Sequence, residues 1–414
     1  MQNSRKYQTM KRIVLLRRKF LSYLKCLLIV LMVLFSSQGL AALIADINVG
    51  RVAIDDQSAN TQTAAGRAAL KQVLIKMSGS LQTVEQPAIL RAIVNYEQYL
   101  IASSFVQQRS QLMFEARFNQ EKLHALLKAT GQPIWANLRP SATLWLAEQN
   151  LQGDVRWLNQ NTAIDFNQAL QQAAFERGVG IILPLGDLSD SMAISDFDVW
   201  TQNTVKLIPQ SMRYDTVFTI SGTINPITQE IRQRLAEQAA FLSQQQALDH
   251  LFNAPTDDSI ATQSSGITVN APSSTDQLQL DWIISSAQEV HIGKLFLTEL
   301  SEAPSALVDQ FADILAQQYA VSGERSAADA VTRRLSVRNI RSLSDFNQAL
   351  ALVNAMPQIS RVELSDVQGD TASFVILLNG NSEEFISLVV LDKRVSQSLN
   401  PAPAGQDIQL IWRR

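Results

Sequence analysis

Between residues 60 and 77 apolar side chains recur at helical spacing. Leu70, Val73, Leu74 and Met77 fall at i, i+3, i+4 and i+7, which makes one face of an amphipathic helix, and Gly79 supplies its stop. The preceding "ADINVGRVAI" alternates as a strand does. Pro87 opens a shorter helix through Tyr96, and "YLIASSFVQQ" and "SQLMFEARF" read as strands joined near Arg109 and Ser110. Asn119 caps a helix with the face Leu123, Leu126 and Leu127, ended by Gly131 and Pro133. The order strand, helix, helix, strand, strand, helix predicts an α+β layer.

From Pro140 the pattern changes. "ATLWLAE" alternates. Thr162 and Asp165 form a capping-box pattern ahead of the helical face Phe166, Ala169, Leu170 and Ala173. "GIILPL" is the short continuous apolar run expected of a central strand buried on both faces. Residues 200–212 read as a helix, "DTVFTISGTI" as a strand, and 227–252 as a Gln-rich helix. Residues 253–276, rich in Ser, Thr, Pro and Gly, read as a flexible excursion. "QLQLDWIISS" and "VHIGKLFLTEL" add two strands. Ser301 and Pro304 then start a helix with Leu307, Phe311, Ile314 and Leu315 on one face.

"SGERSAAD" marks the next boundary. From about Arg334 the order is β-α-β-β-α-β: "LSVRNI", a helix behind the capping pair Ser342 and Asp345, "ISRVELSDV", "ASFVILL", "NSEEFISLVVLD" and a returning "DIQLIW". That order fits a ferredoxin-like unit. The expected class is therefore α+β or mixed α/β, built from several small α/β domains, the last one ferredoxin-like. The expected divisions are an N-terminal α+β domain at 42–137, a middle mixed α/β domain at 138–325 carrying the excursion, and a C-terminal domain at 333–414.

Charge adds an address. The first 25 residues hold eight Lys and Arg, from Arg5 to Lys25, and no acid. "CLLIVLMVLF" and then "SSQGLAA" follow, the basic, apolar and small-residue order of a secretory signal peptide. Ten apolar residues fall short of the roughly 20 that span a bilayer, so cleavage is expected after Ala41, with an uncleaved anchor as the alternative. The 414-residue chain carries a net charge of −3, but without residues 1–41 it has 27 basic against 38 acidic residues, a net charge of −11. An acidic chain lacks the basic footprint of a nucleic-acid binder. Cys26, the only cysteine, lies in the signal, so the exported chain has no thiol to pair or to ligate zinc. The expected location is the periplasm of a Gram-negative cell.

Candidate chemistry is sparse. His124, His250 and His291 have no second histidine at helical spacing, and no G-x-S-x-G turn, phosphate loop or H-E-x-x-H is present. A dispersed hydrolase triad stays open. Gly178 and Gly180 precede the strand "IILPL" instead of following it, which suits a helix stop better than a phosphate cradle. Asp187, Asp190, Asp196 and Asp198 cluster just beyond it. They lack the D-x-D-x-D-G periodicity of a calcium loop, and solvated loop acids or helix caps are the competing reading, with Asp196 or Asp198 capping a helix near Trp200.

Four stretches carry a resemblance: "DQSANTQTAAGRAALKQVLIKMSGS", "GQPIWANLRPSATLWLAEQ", "RGVGIILPLGDLSDSMAISDFDVW" and "SMRYDTVFTISGTI". Over residues 44–225 the chain resembles the domain of unknown function 2066 family, and its tail is also similar to that family's C-terminal region. The resemblance implies an exported proteobacterial protein of no established activity, and it brings no catalytic residues. More loosely, the middle segment is similar to small periplasmic domains of envelope assembly factors.

The expectation that follows is an exported, non-enzymatic protein, without cofactor or metal, that binds an envelope protein or supports its assembly. Its contact surface is the acidic loop at 186–200, with Asp187, Asp190, Asp196, Phe197, Asp198 and Trp200, together with Arg213 and Tyr214. Aromatic anchors dominate interfaces, although both aromatics could equally be buried and brace the loop. Two alternatives stand beside it: a membrane-tethered structural protein that keeps residues 1–41, and a metal-dependent hydrolase using the four aspartates. Partner and oligomeric state stay open.

Overall fold

The computed structural model describes residues 46–413, apart from 109–110, 136, 253–272, 274, 276, 288, 322–329, 355, 357, 380, 393 and 399–406. The expected signal segment with its expected cleavage point, nearly all of the excursion at 253–276 and the boundary "SGERSAAD" lie outside the described residues. Among the described residues no helix is long and apolar enough to cross a membrane.

The first sheet has the order β1-β3-β2, all antiparallel, from β1 (Val49–Ile54), β2 (Leu100–Gln108) and β3 (Gln111–Phe118). Helix α1 (Ala59–Ser78) packs on it. The Ser58 hydroxyl accepts from the Thr61 N–H at its start, and Gly79 ends it with φ 78°. Leu70, Val73, Leu74 and Met77 are all fully buried, as their spacing predicts. Strand and helix meet closely at Gly50, where a Cβ would lie 2.4 Å from the Ala69 carbonyl oxygen. Helices α2 (Pro87–Val94) and α3 (Gln120–Ala129) complete this layer, α3 capped by the Asn119 side chain.

A two-residue pairing joins β4 (Ile134–Trp135) to the distant β11 (Ala320–Val321). The second sheet has the order β10-β9-β8-β5-β6, with β7 also on β5. Its strands are β5 (Ser141–Gln149), β6 (Val155–Leu158), β7 (Gly180–Ile182), β8 (Phe218–Pro226), β9 (Leu278–Ser285) and β10 (Val290–Leu297). Helices α4 (Ile164–Arg177) and α9 (Ala303–Tyr319) share one core with Leu144, Leu146, Phe218 and Ile220. Trp145 and Ala147 belong to a second core, with Ile194, Val199 and Leu207 of α5 (Leu188–Ala193), α6 (Asp196–Trp200) and α7 (Thr204–Ser211), and the residues linking them. The strands buried on both faces are thus β5 and its neighbour β8. "GIILPL" is instead a three-residue strand that pairs only with β5, in parallel; Pro184 lacks an N–H and cannot extend a ladder. The expected Thr162–Asp165 box is also absent. The N-cap of α4 is Ala163, with no side-chain bond, and the Asn159 carboxamide instead accepts from the N–H groups of Asn161 and Thr162, both at 3.0 Å. Helix α8 (Gln229–Phe252) leads toward the excursion.

One buried cation ties these layers together. Arg139, 6% exposed, donates to the Lys76 carbonyl at the end of α1 and to the Arg177 and Gly178 carbonyls at the end of α4. Helix C-termini leave such carbonyls unsatisfied and carry partial negative charge. The described residues fall within one compact unit.

The last sheet, β13-β14-β12-β16-β15, is built from β12 (Ala330–Arg338), β13 (Ile359–Gln368), β14 (Thr371–Asn379), β15 (Val395–Gln397) and β16 (Asp407–Trp412). β12 and β16 run parallel at its centre. With α10 (Leu343–Asn354) and α11 (Ser382–Val389) this is the expected ferredoxin-like arrangement, with β15 added at the edge. Along β14, Ala372, Phe374, Ile376 and Leu378 are buried and the residues between them half-buried, the period of two that a one-sided sheet requires. The whole is an α+β fold of several small sheets.

Candidate functional site

The stretch expected to be an acidic loop is mostly helical. Asp187 caps α5, its side chain accepting from the Asp190 N–H at 3.0 Å. Ser195 and Asp198 form a capping box around α6, so this helix starts before Trp200 and not at it. The expected helix at 200–212 is broken after α6, where Gln202 adopts φ 49°, and resumes as α7 before a 3-10 turn at Met212–Tyr214.

Asp190 is the centre of the arrangement and is fully buried. Its Oδ1 accepts from Arg213 Nη1 at 2.7 Å and Gln210 Nε2 at 3.0 Å. Its Oδ2 accepts from the Gly186 N–H at 3.0 Å and from the Tyr214 hydroxyl. Four donors on one carboxylate meet the condition for burying a charge without a large penalty. Asp187 completes the set, its two oxygens taking Nη1 and Nη2 of Arg213. Tyr214 in turn accepts from the Leu185 N–H at 2.9 Å and stands edge-on to Trp145, 6.5 Å between ring centroids. Trp145 donates through Nε1 to Ser211 Oγ at 2.9 Å. The central strand of the sheet thereby fixes the short helices.

The electrostatics follow these contacts. Hydrogen bonding from Arg213 holds the Asp187 carboxyl well below the usual carboxylate range. The same contact pushes the Arg213 guanidinium up. Burial, then the bond to Asp190, pushes the Tyr214 phenol up. Lys206, then Ser195, holds Asp198 down. These shifts favour ionised Asp187 and Asp198, a charged Arg213 and a protonated Tyr214 near neutral pH.

The aspartates do not converge. Asp187 and Asp190 meet on Arg213, Asp198 pairs with Lys206 at 2.8 Å, and Asp196 accepts from the Trp157 N–H at 2.9 Å. Among the described residues no group of three or more His, Cys, Asp or Glu could hold a metal ion. The two aromatics divide. Trp200 is half-buried against the Trp145 core, whereas Phe197 is 70% exposed.

Sequence reasoning missed four further exposed apolar side chains in the same stretch as Phe197. Leu188, Met192, Val205 and Met212 are each more than 70% exposed. The i, i+4 spacing of Leu188 and Met192 was the available signal, obscured because the segment reads as an acidic loop. None of the eight expected residues lines the groove of about 1250 Å³ whose walls include Arg51, Gln72, Gln168, Gln171 and Glu176.

The model of a domain of unknown function, DUF8605, matches residues 41–136. This overturns the resemblance to the 2066 family: a different family is found, and its match ends before the Asp190 site begins. The stretches that suggested the other family consist largely of helix and strand periodicities that many α+β domains need. No curated protein matches the chain.

Proposed function

We propose that this is an exported periplasmic protein that binds another envelope protein, or supports its assembly, through α5–α7 and without chemistry of its own. The observation that carries the reading is the pairing of a rigid base with an apolar display. Asp190, Arg213 and Tyr214 lock the short helices onto β5, while Leu188, Met192, Phe197, Val205 and Met212 remain in solvent. Five exposed large apolar side chains fall within one 25-residue stretch, which supports an interaction surface there, and preorganised anchors bind at lower entropic cost. The basic, apolar and small-residue order of the first 41 residues supports the location.

The test is photo-crosslinking in living cells from positions 188, 192 and 197. One envelope protein should be captured from these positions, and Met192→Asp with Phe197→Asp should abolish its co-purification without lowering the melting temperature. Trp200 is left intact because it packs in the core. No adduct from any of the three positions, or unchanged co-purification of the double variant, overturns the proposal.

A further inference from the structure

The groove of about 1250 Å³ lies between the first sheet with its helix and the helices of the second. β1 and α1 form one wall, α4 forms the other, and Ser305 and Asp309 of α9 also line it. It is larger than the roughly 300–1,000 Å³ of a pocket for one small molecule, which suits a length of polymer.

Its charges select no ionic polymer. Arg51, Lys71 and Arg177 line it beside Glu176 and Asp309. Arg51 is already bonded to Glu115 at 2.7 Å, and Arg177 lies 3.1 Å from Asp309. A lining so nearly neutral lacks the basic track that a polyanion needs. The common way of holding an extended peptide, by adding it to a sheet edge, is closed as well. Gln72 accepts from the Arg51 N–H at 2.8 Å and donates to the Arg51 carbonyl at 3.3 Å, and Lys76 Nζ donates to the Val49 carbonyl at 2.8 Å. Three backbone groups on the outer edge of β1 are thus occupied.

The groove instead offers carboxamides. Gln108, Gln111 and Gln168 are exposed on it. Asn167 Oδ1 is buried in its wall with no hydrogen-bond partner among the described residues. A carboxamide donates and accepts from neighbouring atoms. Sugar hydroxyls also do both, so one Gln or Asn matches two adjacent hydroxyls. Ala53, Ala68, Ala169 and Ala173 lie on the same walls, short apolar footings for the C–H face of a sugar ring.

We infer that this groove binds a neutral oligosaccharide several units long. Its hydroxyls pair with Gln108, Gln111 and Gln168, and one of them supplies the donor that Asn167 lacks. The groove shares no residue with α5–α7, so either surface can fail without the other.

Titration calorimetry on the full chain as produced by the cell tests it. The neutral probes are cellohexaose, maltohexaose and chitohexaose, run beside hexagalacturonate and an uncharged decapeptide. At least one neutral hexaose should bind with a Kd below about 1 mM, and more tightly than its disaccharide. Gln111→Ala with Gln168→Ala removes two hydrogen bonds and should weaken that binding about tenfold or more. Ala169→Trp fills the groove and should abolish it. All three positions are exposed, so the melting temperature should hold; if one variant unfolds, the other decides. No neutral hexaose bound at about 1 mM, tighter binding of hexagalacturonate or of the peptide, or undiminished binding by a folded variant overturns the inference.

Discussion

Lys76→Met should stabilise this protein, most of all below about pH 7, where the lysine is charged in the folded chain, and progressively less above it. Lys76 lies in the last turn of α1 and is 1% exposed. Its ammonium donates to the Val49 carbonyl and sits 3.3 Å from the centroid of the Phe175 ring. Those two contacts favour the charge. Burial opposes it most strongly, followed by the neighbouring cations Arg51 and Arg139, and together they push the amine from its ordinary 10.5 down to about 7. The unfolded chain therefore binds more protons than the folded one between about pH 7 and pH 10.5. Stability rises with pH through that window, by up to about 1.4 kcal/mol per unit, and is flat below it. Over the full window the linkage is about 5 kcal/mol. Methionine keeps the apolar stem and removes the charge, but it also gives up one hydrogen bond and the ring contact, about 1 kcal/mol each. The net gain should be about 3 kcal/mol below pH 7. Urea unfolding of both proteins near pH 6 and near pH 9 measures it. The wild type should gain about 2–3 kcal/mol relative to the variant between the two pH values. If the two proteins show the same pH dependence, or the variant is the less stable near pH 6, the ammonium is net stabilising and the argument from burial fails.

Two further outcomes follow from the packing. Asp190→Ala should cost about 3 kcal/mol or more, since it leaves Arg213, Gln210, Tyr214 and the Gly186 N–H without their shared acceptor; urea unfolding reads the loss, and a change below about 1 kcal/mol would show the network to be dispensable. Gly50→Ala should lower stability by about 3 kcal/mol, because its Cβ meets the Ala69 carbonyl, which is backbone and cannot rotate away; an unchanged thermal melt would mean that β1 and α1 can separate at that point.

Much of the fold was legible along the chain, and the reason is local. Side-chain direction repeats every 3.6 residues in a helix and every two in a strand, so Leu70, Val73, Leu74 and Met77, or Ala372, Phe374, Ile376 and Leu378, announce a buried face before any partner is known. Caps at Asn119 and Gly79 are equally local. What the tertiary structure alone decided is who meets whom. "GIILPL" has the composition of a central strand, yet β5 takes that place, because helices cover both of its faces while Pro184 ends the ladder of β7. Four aspartates in sequence look alike. In space one is buried beneath donors from Gly186, Gln210, Arg213 and Tyr214, and the others cap helices or pair with neighbours. The charge of Lys76 is plain in the sequence, but its burial under Phe175 is not. Periodicity is written by backbone geometry within one element and survives without a partner. Pairing, desolvation and edge exposure depend on residues tens or hundreds of positions apart, and they take their values only when the layers close.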